Sequence, residues 1–155
     1  MTSPRDFTVL ENSPVVMNDL AYRLGLSREL TFYDVYSLDD PEPLAFVPCR
    51  VFALLAIVFL TDARDNTRKE EDSERVVWFR QTMVHDCGLI GLLRCVCNGL
   101  SAQRITPGSE LDLILRQATP LTMYERAKLL EESKTVYEAS QAAAVKGDTV
   151  LCGGR

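Results

Sequence analysis

Two residue types capable of covalent chemistry stand two positions apart in "QTMVHDCGLIGLL", residues 81–93: His85, the only histidine of the sequence, and Cys87. The thiolate is the nucleophile of cysteine chemistry, and an imidazole within hydrogen-bond reach can take the thiol proton. Spacing argues against that pairing here. Residues two apart on a helix do not face each other, and a histidine in the preceding loop most naturally points away from the thiol. Nothing nearby would orient it as a base, so His85 reads as an exposed residue of the loop or helix start.

Cys87 has a better claim on its own. It opens an apolar run with helical character, and the N–H groups and macrodipole at a helix N-terminus favour negative charge in the first turn. Gly88 and Gly91 would let other backbone approach that helix closely. Free cysteine is nevertheless among the most buried residue types, so spacing alone favours a buried helix-start thiol. Cys95 and Cys97 lie deeper in the run, where thiols behave as small inert hydrophobes. They point to different helix faces, and no second Cys or His pair completes a zinc site. No metal and no other cofactor is expected.

The elements that must position these residues follow from pattern. "FTVLE" (7–11) alternates weakly and suggests a short strand. Ser13-Pro14 forms an N-cap and first helical residue for "VVMNDLAYRLG", with Gly25 as C-cap. "LTFYDVYSL" (30–38) is aromatic and β-branched and reads as a strand, and "DDPEPLAFVP" (39–48) reads as an irregular connection. The run "VFALLAIVFL" (51–60) lacks polar alternation, which predicts a strand buried on both faces. A charged loop, "DARDNTRKEEDSE" (62–74), leads to a short strand "RVVWF" (75–79). The helix from Cys87 is apolar nearly all round, hence central, and Asn98-Gly99 ends it. Pro107 and Ser109 open a helix through "ELDLILRQA". One long amphipathic helix is predicted over 119–147, with Thr122 and Glu125 as a capping box and Gly147 as terminator.

A chain of 155 residues is one domain's worth and can bury about 68–70% of its unfolded surface. The net charge of −5 argues against nucleic acid as the main partner, which would call for clustered Lys and Arg. The longest apolar run is half the length of a membrane-spanning helix, and the N-terminus lacks the apolar stretch of a signal peptide. A cytoplasmic location, with the nucleus as an alternative, is therefore expected. The five cysteines, at 49, 87, 95, 97 and 152, are then expected to be reduced.

The pattern Gln81-x5-Cys87-Gly88-x-Ile90-Gly91-Leu92-Leu93 resembles the ubiquitin C-terminal hydrolase family of cysteine deubiquitinases, with "VVWFR" where the family has a strand. "FTVLENSPVVMNDLAYRLGL" is similar to the family's opening strand and helix. "YDVYSLDDPEPLAFVPCRVFALLAIVFLT" and "MYERAKLLEES" resemble later segments, in order. The resemblance implies an α/β (α+β) fold, with a central antiparallel-rich sheet flanked by helices in a papain-like arrangement. It makes Cys87 the nucleophile and gives the Gln81 side-chain amide, beside the Cys87 backbone N–H, to the oxyanion hole. The reaction it implies is thiol hydrolysis of adducts from the C-terminus of ubiquitin or a ubiquitin-like modifier, in ubiquitin-dependent protein catabolism.

Two departures qualify the resemblance. The family usually has Asn where this sequence has His85. Its catalytic His and orienting Asp follow the long helix on later strands, so they are expected to be absent from this chain, which resembles the N-terminal two-thirds of the domain. Residues 1–147 then form a partial hydrolase domain and 148–155 a short non-family tail. Activity is expected to be weak or nil, with a non-catalytic ubiquitin-binding pseudoenzyme or a truncated product as alternatives. The run 51–60 would lack sheet neighbours, and self-association through the uncovered sheet is expected.

Overall fold

The computed structural model describes residues 7–56, 76–83 and 85–148. The chain runs through helices α1 (Pro14–Leu24), α2 (Pro41–Leu44), α3 (Cys87–Val96), α4 (Glu110–Ala118), α5 (Met123–Glu132) and α6 (Lys134–Ala144), with a 3-10 turn at Ser101–Arg104. α3 is the centre. Gly88, Leu89, Ile90, Gly91, Leu92, Leu93 and Val96 are all buried, and α1 packs against it with the stripe Val16, Met17, Leu20, Ala21 and Leu24. α1 also packs along α6, whose buried face is Val136, Ser140 and Ala143.

The ends of α1 are built as expected. Ser13 is the N-cap and Pro14 the first helical residue. Gly25 takes φ 111° and donates to the carbonyls of Ala21 (3.0 Å) and Tyr22 (3.2 Å). That left-handed turn carries the chain into a single antiparallel bridge, Leu26 with Ile105. The Gly25 carbonyl accepts from the Thr106 N–H at 2.8 Å, and Ser109, the N-cap of α4, stands directly against Gly25.

Four expectations for the strands need correction. Among the described residues no strand forms: 7–11, 30–38 and 76–79 carry no sheet ladder, and the chain bends at Tyr36, Leu38 and Val76. Their backbone is held by helix side chains instead. The Phe32 N–H donates to Asn18 Oδ1 (2.7 Å) while Asn18 Nδ2 donates to the Phe32 carbonyl (3.2 Å), and the Thr8 N–H donates to Gln141 Oε1 (2.9 Å). The described part of the apolar run, 51–56, is exposed except for half-buried Leu55, which packs on Gly91. With no paired neighbour, this stretch has nothing to bury against on two faces. Residues 57–60 of that run, the charged loop at 62–74 and the tail beyond residue 148 lie outside the described residues.

The helices need two smaller corrections. The segment 39–48, expected to be irregular, contains the single turn α2, capped by Asp40 Oδ1 accepting from the Glu42 N–H at 3.0 Å. The long helix is two. Ser133, at φ −71° and ψ 110°, ends α5 and caps α6, its hydroxyl accepting from the Val136 N–H (3.2 Å) and donating to Glu110 (3.0 Å). A serine hydroxyl offers the backbone a local alternative to helix continuation, and here it is taken. The Thr122–Glu125 capping box is present, with the Thr122 N–H donating to Glu125 Oε2 at 2.9 Å.

Asp19 of α1 clips the end of α6, with Lys146 Nζ at 2.6 Å from Oδ1 and Arg23 Nε at 2.6 Å from Oδ2. Burial works to raise the Asp19 pKa, but the bonds from Arg23 and Lys146 outweigh it and hold the carboxyl below its ordinary range.

The Gly25 turn yields a direct prediction. A Cβ there would stand 2.1 Å from Ser109 Cβ, and a left-handed non-glycine residue costs about 1–3 kcal/mol by itself. Gly25→Ala is expected to lower the thermal midpoint by several degrees or more; a scan by circular dichroism checks this.

Candidate active site

α3 begins at Cys87, whose thiol is exposed although the next residues are buried. The expectation of a buried helix-start thiol is thus corrected. The Asp86 carbonyl accepts the first helical bond, from the Ile90 N–H at 2.9 Å. Gly88 explains how the first turn sits so deep in the fold: a Cβ there would meet Leu10 Cβ at 3.0 Å and the Leu10 carbonyl at 3.5 Å. Cys95 is half-buried and Cys97 buried; burial raises the Cys95 thiol pKa and pushes that of Cys97 up to about 12. Both are poor nucleophiles. Among the described residues no group of His, Cys, Asp and Glu could hold a metal ion, and no helix is long and apolar enough to cross a membrane.

Gln81 is exposed and follows the extended segment 77–79. That segment is fastened one residue at a time. Asn98, just past the end of α3, takes both backbone groups of Val77: its Oδ1 accepts the N–H (2.8 Å) and its Nδ2 donates to the carbonyl (3.1 Å). Arg126 of α5 donates to the Trp78 carbonyl (3.3 Å) and also to Ala118 (2.7 Å) and Thr119 (3.4 Å). Arg94 of α3 donates to the Phe79 carbonyl from Nε (3.1 Å) and Nη2 (2.6 Å). Its guanidinium lies 3.5 Å from the centroid of the Trp78 ring, a favourable cation–π placement. Phe79 points inward and is fully buried. Just beyond Gln81, Thr82 Oγ1 donates to Glu131 Oε1 at 2.7 Å.

Sequence reading missed this fastening. Asn98 read only as a helix terminator. Arg126 carried a signal in retrospect, since it falls on the buried face of α5 with Ala127 and Leu130, where a charge needs partners. Arg94 gave none beyond being a charge in an apolar helix.

His85 is exposed and has φ 66°, the one described non-glycine residue in the left-handed region. Its contribution is conformational: the turn delivers the chain to the start of α3. Asn, Asp and His are the non-glycine residues most often found in this region, which gives a physical reason for His to stand where the family usually has Asn. Asp86, next in the chain, is fully buried. Neither of its oxygens has a well-formed hydrogen-bond partner. Desolvation raises its pKa, partly countered by the backbone N–H groups of Met83 and of Asp86 itself, the Gln81 side chain and the charge of Arg94. A buried polar group left in this state costs about 1–3 kcal/mol. Asp86 is thus buried at the start of α3, while Gln81 and His85 are both exposed.

This arrangement, an exposed thiol at the start of a buried helix, sits within a chain whose residues 7–152 match the profile of ubiquitin carboxyl-terminal hydrolase, family 1. The chain belongs to that family. It is similar to ubiquitin carboxyl-terminal hydrolase 3 of Arabidopsis thaliana, with 36% identity over 96% of this chain and 67% of that protein. It is also similar to ubiquitin carboxyl-terminal hydrolase YUH1 of Saccharomyces cerevisiae, with 35% identity over 69% of the chain and 45% of that protein. The human isozyme L1 is 32% identical over 89% of the chain and 65% of its own length. The chain therefore spans between 45% and 67% of the length of these hydrolases.

The left-handed turn can be tested. His85→Val, β-branched in this region, is expected to lose about 1–2 kcal/mol, whereas His85→Asn is expected to match or exceed the native chain. Urea midpoints at unchanged slope would read the difference.

Proposed function

We propose that these residues form the nucleophile side of a thiol hydrolase site that acts on adducts at the ubiquitin C-terminus. Cys87 is the nucleophile, and Gln81 with the Cys87 backbone N–H supplies the oxyanion donors. Residues 1–147 contribute to a papain-like layered domain with a central sheet. The reading is carried by one observation: of the cysteines with a raised pKa or a buried side chain none lies at the site, while the thiol opening α3 is exposed at a helix N-terminus.

The step follows from that placement. The Cys87 sulfur attacks the carbonyl carbon of ubiquitin's terminal glycine, forming a C–S bond and putting negative charge on the carbonyl oxygen. Donors already oriented toward that oxygen are worth about 10²–10³ in rate each. The oxyanion collapses, the bond to the leaving amine breaks, and the amine takes up a proton. Water then cleaves the thioester, releasing ubiquitin's carboxylate and restoring the thiol. A general acid and base must move these protons. His85, the only histidine of the 155 residues, is exposed in its turn, and the family resemblance puts the catalytic His and Asp after α6. Turnover by these 155 residues alone is therefore slow, while single-step capture of a reactive ubiquitin C-terminus remains open to them.

Ubiquitin bearing a C-terminal Michael acceptor is expected to give one covalent adduct, mapped to Cys87 and lost in Cys87→Ser. A fluorogenic ubiquitin amide is expected to turn over slowly beside a full-length relative. An adduct that survives Cys87→Ser, or maps to Cys49 or Cys95, would contradict the assignment.

A further inference from the structure

The segment Leu10–Asn12 crosses the first turn of α3, beside the exposed Cys87 thiol. A Cβ on Gly88 would meet Leu10 Cβ at 3.0 Å, Asn12 Oδ1 at 3.4 Å and the Leu10 carbonyl at 3.5 Å. Gly88 follows Cys87 directly, so Asn12 Oδ1 stands within about 9 Å of the Cys87 Cα, consecutive Cα atoms being about 3.8 Å apart. Leu10 is buried, whereas Asn12 and Cys87 are both exposed. Among the described residues Asn12 makes no hydrogen bond. One edge of its amide rests on α3 and the other is open.

The fold shows what such an amide does when backbone lies against it. The other two described asparagines, Asn18 and Asn98, each hold one residue that lies in no helix or ladder by both its backbone groups. The bonds to Phe32 are 2.7 and 3.2 Å long, and those to Val77 2.8 and 3.1 Å. We propose that Asn12 is the corresponding docking group for the substrate. Its carbonyl accepts the backbone N–H, and its NH2 donates to the backbone carbonyl, of one residue in the C-terminal segment of ubiquitin. The proposal rests on the reading of Cys87 as the nucleophile.

A chain that ends in the reacting carbonyl reaches a thiol most directly as extended backbone, which rises about 3.3 Å per residue. Over the distance from Cys87 to Asn12, the residue held is the second or third before that carbonyl. Its N–H and C=O lose water as they approach the protein, and an amide with both donor and acceptor replaces that water at once. Bonds to backbone are blind to side chains, so Asn12 sets the register of the substrate and not its sequence. It touches no reacting atom, and its loss therefore weakens capture without slowing the chemical step. Asn12 precedes Ser13, the N-cap of α1, so its truncation leaves the helix start intact.

The probe is ubiquitin with a C-terminal Michael acceptor: the Cys87 sulfur bonds to its β-carbon and the neighbouring carbon takes up the proton. Adduct rates over a range of probe concentrations separate the half-saturating concentration from the limiting rate. They are measured for the native chain and N12A, with the plain probe and with probes N-methylated at the second or third residue before the reacting group. Circular dichroism gives the thermal midpoint of each chain. N12A is expected to raise the half-saturating concentration about tenfold, the worth of two ordinary hydrogen bonds, with the limiting rate and thermal midpoint unchanged. N-methylation at one of the two positions removes the bonded N–H. It is expected to weaken capture by the native chain several-fold and capture by N12A not at all, because both changes delete one interaction. Native half-saturation in N12A, a loss that comes through the limiting rate, or N-methyl effects equal in the two chains overturns the proposal. No Cys87 adduct even from the native chain removes the hydrolase reading instead, and this role with it.

Discussion

The clamp between Asn98 and Val77 is the contact on which the site depends. One side-chain amide supplies an acceptor for the Val77 N–H at 2.8 Å and a donor for its carbonyl at 3.1 Å, the same exchange of two bonds that a neighbouring strand makes across a ladder. Asn98 Nδ2 also donates to the Arg94 carbonyl at 2.9 Å, so the clamp is anchored in the last turns of α3. Arg126 and Arg94 then hold the next two carbonyls, and the buried Phe79 fixes the facing. Hydrogen bonds from charged donors are stronger than neutral ones, and each carbonyl here would otherwise lose a partner. The segment leading to Gln81 is thereby referred to the same helix that begins with Cys87. Asn18 of α1 repeats on Phe32 the device that Asn98, just past the end of α3, uses on Val77.

Much of the local structure was legible because it depends on local chemistry. Ser13-Pro14 marks a helix start by the fixed φ of proline at the first helical position, while Gly25, Ser109 and the Thr122–Glu125 box mark helix ends through hydrogen bonds made within a few residues. The all-apolar run after Cys87 announced a central helix for the same kind of reason. Ser133 shows the limit of such reading. The amphipathic period continues across it, and the break depends on the hydroxyl also finding Glu110 from α4, a contact no local pattern contains.

The extended segments were misread for a complementary reason. Residues 30–38 and 75–79 have the β-branched and aromatic composition of strands, yet their described parts join no ladder. What pattern cannot say is who pairs with them. Strand composition reports a fit to a pleated, half-buried surface, and that surface is made by partners distant in sequence. Here the described partners are side chains on helices. At the site, the motif made Cys87 visible and the resemblance made Gln81 visible. The left-handed turn at His85 carried only a weak signal in residue type, and the buried, unpartnered Asp86 carried none, because burial arises only once α3 is packed.

Amide hydrogen exchange at Val77 tests this account most directly. If Asn98 holds the segment, the Val77 N–H exchanges slowly although it lies in no helix or ladder. In Asn98→Ala it then exchanges at the rate of an open chain, while the amides of α3 keep their protection. A Val77 amide that exchanges freely in the native chain, or one that stays protected in Asn98→Ala, would contradict the account and point to a different partner for the strand-like segment that carries Gln81.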